Sequence, residues 1–318
     1  MVDTIAEDWR EHLVLTREFL TPGERQQFFS KCRRGEFVAV VRGVYVQAEQ
    51  WRRMDSDARH RTRAKATAAR AEHELVFSHH SAVALWRLPW VGQWPSVVHV
   101  LDEVSSGGRS NASLFRHTTG VPGLLASIEG LTVTTLARTV VDVARVATFG
   151  QAVTIADAAL RRTEHPLELV PRTFLTRPDL FRELDAVPLR HGSAKARAVL
   201  DFEDAAADRP GESMSRVSML KARLPSPILQ AKVVGASGRV WIVDFWWPDF
   251  NLVGEFDGRL KYSDPEFLRG RTPELALADE KYREDDIRAA GHGMSRWGWR
   301  IALSPGLLRA HLITAGLR

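Results

Sequence analysis

The chain has 318 residues, 44% of them hydrophobic and 26% charged, with 44 basic against 39 acidic side chains and one cysteine, Cys32. Such a composition is ordinary for soluble globular proteins, and the length suits two or three domains. One cysteine excludes an internal disulfide or a thiolate zinc cluster, and no run approaches the ~18–20 apolar residues of a membrane span or forms a signal-peptide core. A cytoplasmic location is therefore expected. The net charge of +5 is unevenly placed: Trp51 to Arg70 carries seven basic residues against Asp55 and Asp57. Local basic clusters of this kind are either solvated helix faces or footprints of nucleic-acid binding.

In chain order, Thr21-Pro22-Gly23-Glu24 offers an N-cap, a proline at the first helical position and an acid in the first turn. It predicts a helix to about Arg33, ended by Arg34-Gly35. Glu36 to Val41 and Val44 to Val46 read as two strands about Arg42-Gly43. A helix followed by a hairpin wing describes a winged helix-turn-helix over residues 1–50, whose second helix would enter a major groove. Arg33, Arg34 and Arg42, joined by Arg52, Arg53, Arg61 and Arg63 of the basic segment, are the candidate DNA contacts. The stretches Arg33-Arg34-Gly35-Glu36-Phe37 and Arg42-Gly43-Val44-Tyr45-Val46 resemble the N-terminal domain of AbiEi-type antitoxins.

Residues 55–75 read as one helix. Ser78-His79-His80-Ser81 opens another; adjacent helical residues point about 100° apart, so the histidines read as a first turn capped by Ser78 rather than as metal ligands. Val97 to Leu101 is a predicted strand. The loop at Ser105 to Gly108 lacks the Gly-Lys-Ser/Thr signature of a phosphate cradle. Leu131 to Thr135 leads into a helix from Leu136 to Val146, and helical segments follow near 151–162 and 179–187. This order resembles the middle region of actinobacterial AbiEi-like proteins. It implies a mixed α/β middle domain, residues 51–205, serving as scaffold, dimer contact or nucleic-acid contact.

Asp201 to Pro210 marks the border of a last domain, 206–318. Its predicted order is a helix from Glu212 to Leu220, a strand from Ile228 to Val234, and a hairpin of Val240 to Trp247 and Asn251 to Gly258. A loop, a charged helix over 274–290 and a strand from Trp297 to Leu303 complete it. The whole is an α+β or α/β multidomain chain. Along a strand, Glu255 and Asp257 share a face. Folding about positions 249 and 250 sets Asp244 opposite Glu255, where like charges repel unless a divalent cation lies between them. Glu284, Asp285 and Asp286 with Arg283 and Arg288 read as an exposed helix face.

The αβββαβ order carrying Glu212, Asp244, Glu255, Asp257 and Lys261 resembles the restriction-endonuclease-like PD-(D/E)XK fold. More narrowly it resembles the very-short-patch-repair-endonuclease branch, with its Glu-x-Asp-Gly-x-x-His motif. Here the motif is Glu255-Phe256-Asp257-Gly258-Arg259-Leu260-Lys261: Lys261 replaces the branch's histidine, and Asp257 the lysine of the wider superfamily. The resemblance implies a DNA endonuclease using Mg²⁺, with Mn²⁺ able to substitute. Asp244 and Glu255 would bind the ion, and Glu212 a second ion or a metal-bound water. Lys261, or Lys281 in its place, would stabilise developing charge. Asp257 would be a further ligand or the partner of Lys261 or Arg259. The plainer reading pairs these acids with Arg239, Arg259 and Lys261 at the surface. Trp241, Trp246, Trp247, Trp297 and Trp299 are expected in the core, with Trp247 or Trp297 as candidates for stacking on a base. The alternative function is a non-enzymatic DNA-binding regulator or antitoxin with a degenerate nuclease domain and a cognate toxin as partner. An RNA-processing factor is a third, since fold alone does not choose the substrate. A homodimer would let a nuclease cut both strands.

Overall fold

The computed structural model describes residues 9–102, 110, 113–118, 120, 123–162, 170–171, 173–187, 191–258 and 272–318. The protein is a multidomain α+β chain, with twelve α-helices and three sheets among these residues. It divides into two compact units, one of residues 1–147 and 162–201, the other of 148–161 and 202–318.

The first unit opens with β1 (Val14–Leu15), α1 (Pro22–Arg33), β2 (Phe37–Val41) and β3 (Val44–Gln47), whose strands form an antiparallel sheet in the order β1-β3-β2. The start of α1 is a capping box: Glu24 N donates to Thr21 Oγ1 at 3.2 Å, and Thr21 N donates to Glu24 Oε2 at 3.2 Å. Phe28 seats α1 on the sheet through ring contacts with Phe19, Phe37 and Tyr45. Next come α2 (Ala48–Arg53) and α3 (Ser56–Arg70), the latter capped by Asp55. A five-stranded sheet follows, built from β4 (Val76–Phe77), β5 (Val98–Leu101), β6 (Leu114–His117), β7 (Leu125–Ile128) and β8 (Leu131–Thr134) in the order β6-β5-β4-β8-β7. It is accompanied by α4 (His79–Leu85) and α5 (Leu136–Val146). Ser78 sits at the N-cap of α4, but its hydroxyl faces His79 Nδ1 at 3.0 Å instead of a helix amide, so the expected cap is corrected.

After α6 (Phe149–Arg161), which belongs to the second unit, α7 (Arg177–Ala186) packs on α5, and α8 (Ser193–Phe202) leads to the border between units. The second unit continues with α9 (Pro210–Lys221), β9 (Ile228–Val234), β10 (Val240–Trp247), β11 (Leu252–Phe256), α10 (Pro273–Ala289) and β12 (Gly293–Trp297). Two short helices close it, α11 (Trp299–Ala302) and α12 (Pro305–Thr314). The sheet order is β12-β11-β10-β9, antiparallel except for the β11–β12 pair. The helix, three strands, helix and strand of the expected order are present. One boundary is corrected: the last strand is 293–297, not 297–303. Gly298 ends it, and the chain curls into α11, whose Ala302 carbonyl accepts Ser218 Oγ at 2.6 Å.

The hairpin turns through a short 3-10 segment, Pro248–Phe250, with Asn251 left-handed, and pairs Phe245 with Gly254, Trp246 with Val253 and Trp247 with Leu252. One sheet face, with Phe245, Trp247, Leu252, Phe256 and Trp297, packs on Met219 of α9 and Leu308 and Leu312 of α12. The other, with Ala231, Val233, Val243 and Val253, packs on Ile287 of α10. Trp247 and Trp297 are each 2% exposed, and their indole N–H groups donate to Pro225 O and Ser215 Oγ. Both are core, with too little exposed surface to offer a base a stacking face. No described helix is long and apolar enough to cross a membrane.

Candidate active site

The site forms where β10 turns over. Residues two apart on a regular strand share a face. Yet Val243 packs toward α10, whereas Phe245 packs toward α9. Ala231 and Leu229 on β9 part in the same way. Between them Gln230 takes φ +46°, and the ladder skips its pairing with Asp244. A left-handed backbone disfavours a non-glycine residue by roughly 1–2 kcal/mol. Strain of that kind persists where the surroundings over-determine it, often at functional positions. Here it frees Asp244 from the regular alternation: its carboxylate accepts the Phe256 amide at 2.9 Å, doing the work of a ladder bond.

Glu212 arrives from the first turn of α9, where an acid complements the helix dipole. It is 1% exposed, and its Oε2 accepts Asp208 N at 2.9 Å and Gln230 Nε2 at 3.1 Å. The strained Gln230 thus also orients Glu212. Gly211 makes the approach possible, because a Cβ there would run into the Phe256 ring. Burial, and then the nearby Asp244 carboxylate, push the Glu212 pKa up to about 8. Glu212 and Asp244 therefore lie close enough to act on one another.

Glu255 is not brought to them as a free ligand. It is 3% exposed and held by two guanidinium groups: Arg283 of α10 contacts both carboxylate oxygens, and Arg296 Nη2 of β12 lies 2.9 Å from Oε2. Arg283 also donates to Ile242 O at 2.7 Å, and Arg296 reaches Glu280 at 2.8 Å and Glu284 at 3.5 Å. Two expectations are corrected here. Among the described residues Glu255 pairs with Arg283 and Arg296, and Arg239 lies over the Trp241 ring instead. And α10 does not present Arg283 and Asp286 as a solvated face, since the Asp286 carboxylate accepts Trp241 Nε1 at 2.7 Å and Ser237 Oγ at 2.9 Å. Asp257 lies past the end of β11, half-buried, its amide donating to Trp297 O at 2.8 Å. Lys261 and Arg259 lie outside the described residues, and Lys281 is exposed.

Among the described residues no three His, Cys, Asp or Glu side chains are arranged to hold a metal ion. Mg²⁺ nevertheless needs only one or two carboxylates, with waters and substrate oxygens completing its shell. Glu212 and Asp244 fit that donor set; Glu255, committed to two arginines, does not.

The candidate DNA contacts fall into two groups. Arg33, Arg34, Arg42, Arg52 and Arg53 are exposed, with Arg34 paired to Glu36 at 2.7 Å and Arg53 to Glu49 at 2.5 Å. Arg33 lines a concavity of about 540 Å³ with Phe19, Leu20, Arg25 and Phe29. Arg61 and Arg63 on α3 are half-buried, and burial lowers the pKa of each. Their neighbours in the basic run are engaged too: Arg59 donates to Trp51 O, and Lys65 pairs with Glu129.

Sequence reasoning missed a histidine cluster in the first unit. His79 stacks on His117 with ring centroids 3.5 Å apart, His99 Nδ1 lies 2.9 Å from His117 Nε2, and His80 packs on His99. His60 stacks on Trp94 nearby. Burial depresses all five: His60 and His99 to about 3, His80 and His117 to about 4, and His79 well below its usual value. The histidines come from α3, α4, β5 and β6, so only the adjacent pair at 79–80 offered a signal.

No family model and no solved structure matches the chain. Two curated relatives, each described as an uncharacterized protein and each from a strain of Mycobacterium tuberculosis, are 32% identical to it over 176 residues. The match covers 55% of this chain and 60% of the length of each relative.

Proposed function

We propose that the second unit is a Mg²⁺-dependent DNA endonuclease of PD-(D/E)XK type, with the exposed arginines of the first unit supplying phosphate contacts. The observation that carries this reading is the buried Glu212 set beside Asp244, two acids that a bound cation would allow to ionise together. The order α9, β9, β10, β11, α10, β12 supports it, because it matches the order the resemblance implies. Mg²⁺ held by these two carboxylates would acidify a bound water and polarise the phosphate. The chain's own residues set the geometry. Asp208 N and Gln230 fix one oxygen of Glu212, and the Phe256 amide fixes one oxygen of Asp244. A cytoplasmic location suits a DNA substrate, and a homodimer would permit double-strand cleavage.

A second reading rests on Glu255. Two arginines satisfy it, as in a structural ion network, and this favours a non-enzymatic DNA-binding regulator of AbiEi type with a toxin as partner. The test is incubation with labelled duplex, mismatched, branched and single-stranded DNA in Mg²⁺, Mn²⁺ or EDTA, beside Asp244→Asn. We expect metal-dependent cleavage that falls by about 100-fold or more in the variant, at least as much as changes behind a metal ligand do. Binding without cleavage on every substrate would leave the regulator.

A further inference from the structure

Among the described residues, the stretch of the β9–β10 ribbon from 231 to 234 and 240 to 243 is covered on one side only. Ala231, Val233 and Val243 are buried against Ile287 of α10. The alternating residues Lys232, Val234, Val240 and Ile242 face away from it, and Val234, Val240 and Ile242 are each 54–55% exposed. Val240 pairs with Val234 and Ile242 with Lys232 across the ladder, so the four side chains form one patch. Asp244 lies two residues beyond Ile242, and Gln230, the residue that orients Glu212, two residues before Lys232. Arg239, over the Trp241 ring 4.1 Å from its centroid, belongs to the side packed on α10 and not to this patch.

We propose that this open face of the ribbon enters the major groove of duplex DNA and sets the backbone against Glu212 and Asp244. The inference rests on the endonuclease reading for the role of those carboxylates. Three features favour duplex DNA as the occupant. A two-stranded ribbon fits a major groove about 12 Å wide, and the four steps from Val240 to Asp244 rise about 13 Å. The aliphatic tips are thus set for base edges, where thymine presents a methyl group, while the carboxylates lie at the groove's rim. Lys232, paired with Ile242 on this face, brings charge opposite to phosphate. A second copy of the chain is a poorer occupant, because three half-exposed aliphatic side chains fall far short of the ~800 Å² per partner of a standard interface.

The test uses the full chain carrying photoreactive benzoylphenylalanine in place of Ile242, irradiated with a radiolabelled 30-base-pair duplex in Ca²⁺. Cleavage kinetics of Ile242→Asp and Lys232→Glu are measured in Mg²⁺, with circular dichroism to show that each variant is folded. We expect a base-linked DNA adduct, competed by unlabelled duplex, and a KM raised by about tenfold or more with kcat little changed, since an acid facing phosphates is repelled. An adduct from a chain that cuts nothing would fail the endonuclease reading yet support the ribbon as a DNA-binding face. Absence of a DNA adduct, with or without cleavage by the unmodified chain, overturns the inference. So does an adduct to a second protein chain, which would make this face a self-association surface.

Discussion

The first unit buries histidines and the second buries carboxylates, and the same physical cause moves them in opposite directions. Removal from water penalises whichever form is charged. For His60, His80, His99 and His117 that form is the protonated one, so their pKa values fall to about 3–4. For Glu212 and Asp157 it is the deprotonated one, so theirs rise to about 8 and 7. Asp157 keeps partners nonetheless, Ser213 Oγ at 2.7 Å and Arg216 at 2.9 Å. The lesson concerns linkage: one chain contains a unit that acid weakens and a unit that base weakens.

Removing the partner of a buried charge should have the largest effect in either unit. Arg216→Met should strip Asp157 of its ion pair and cost the second unit about 3–5 kcal/mol, the usual penalty for leaving a buried charge alone. Urea unfolding followed by tryptophan fluorescence reads it. Arg138→Met does the same to Asp142 in the first unit, where the acid is pushed up to about 6 mainly by burial. Equal losses would show that the two units tolerate buried charge alike.

Packing gives a smaller effect. A Cβ at Gly254 would lie 2.7 Å from the Trp297 ring and 2.8 Å from Trp247. Gly254→Ala should therefore cost about 1–3 kcal/mol, through overpacking alone. A thermal melt checks it, and an unchanged Tm would mean that the two rings can move apart.

The pH dependence is the direct test of the comparison. A histidine depressed in the folded state leaves the unfolded chain binding more protons between about pH 3 and 6.5, so the first unit should lose stability as pH falls through that window. A raised carboxyl keeps its proton longer when folded. The second unit should therefore lose stability as pH rises from about 4.5 through 8. Asp142, raised to about 6, opposes the histidines in part. In EDTA, His99→Gln should reduce the acid slope and Glu212→Gln the alkaline slope, each leaving the other untouched. Denaturant midpoints measured from pH 4 to 9 decide it. If both variants changed the same slope, the assignment of these groups would be wrong.

The smallest effect is expected at the surface. Glu49→Ala breaks an exposed pair with Arg53 and should change stability by no more than about 0.5 kcal/mol.

Local structure was largely legible because local rules govern it. Thr21 and Glu24 announced the start of α1, alternation announced β9 and β10, and the proline turn announced a hairpin whose register places Phe245 against Gly254. The sequence also singled out Glu212 and Asp244. The last strand was misplaced because Trp297 to Leu303 is as apolar and aromatic as a strand, and the break at Gly298 depends on how Trp299 packs against Phe256. The neutral histidines of the first unit were invisible because they meet only across four elements.

The capping box of α1 and the alternation of β9 and β10 depend on neighbours a few residues away, so they could be read along the chain. Tertiary structure alone decided what Glu212, Asp244 and Glu255 do. Asp244 meets Glu212 because the strand turns over at Gln230, while Glu255 is taken by Arg283 and Arg296, 28 and 41 residues further along the chain. Charge interactions and desolvation act through space, and no local pattern records which partner arrives first.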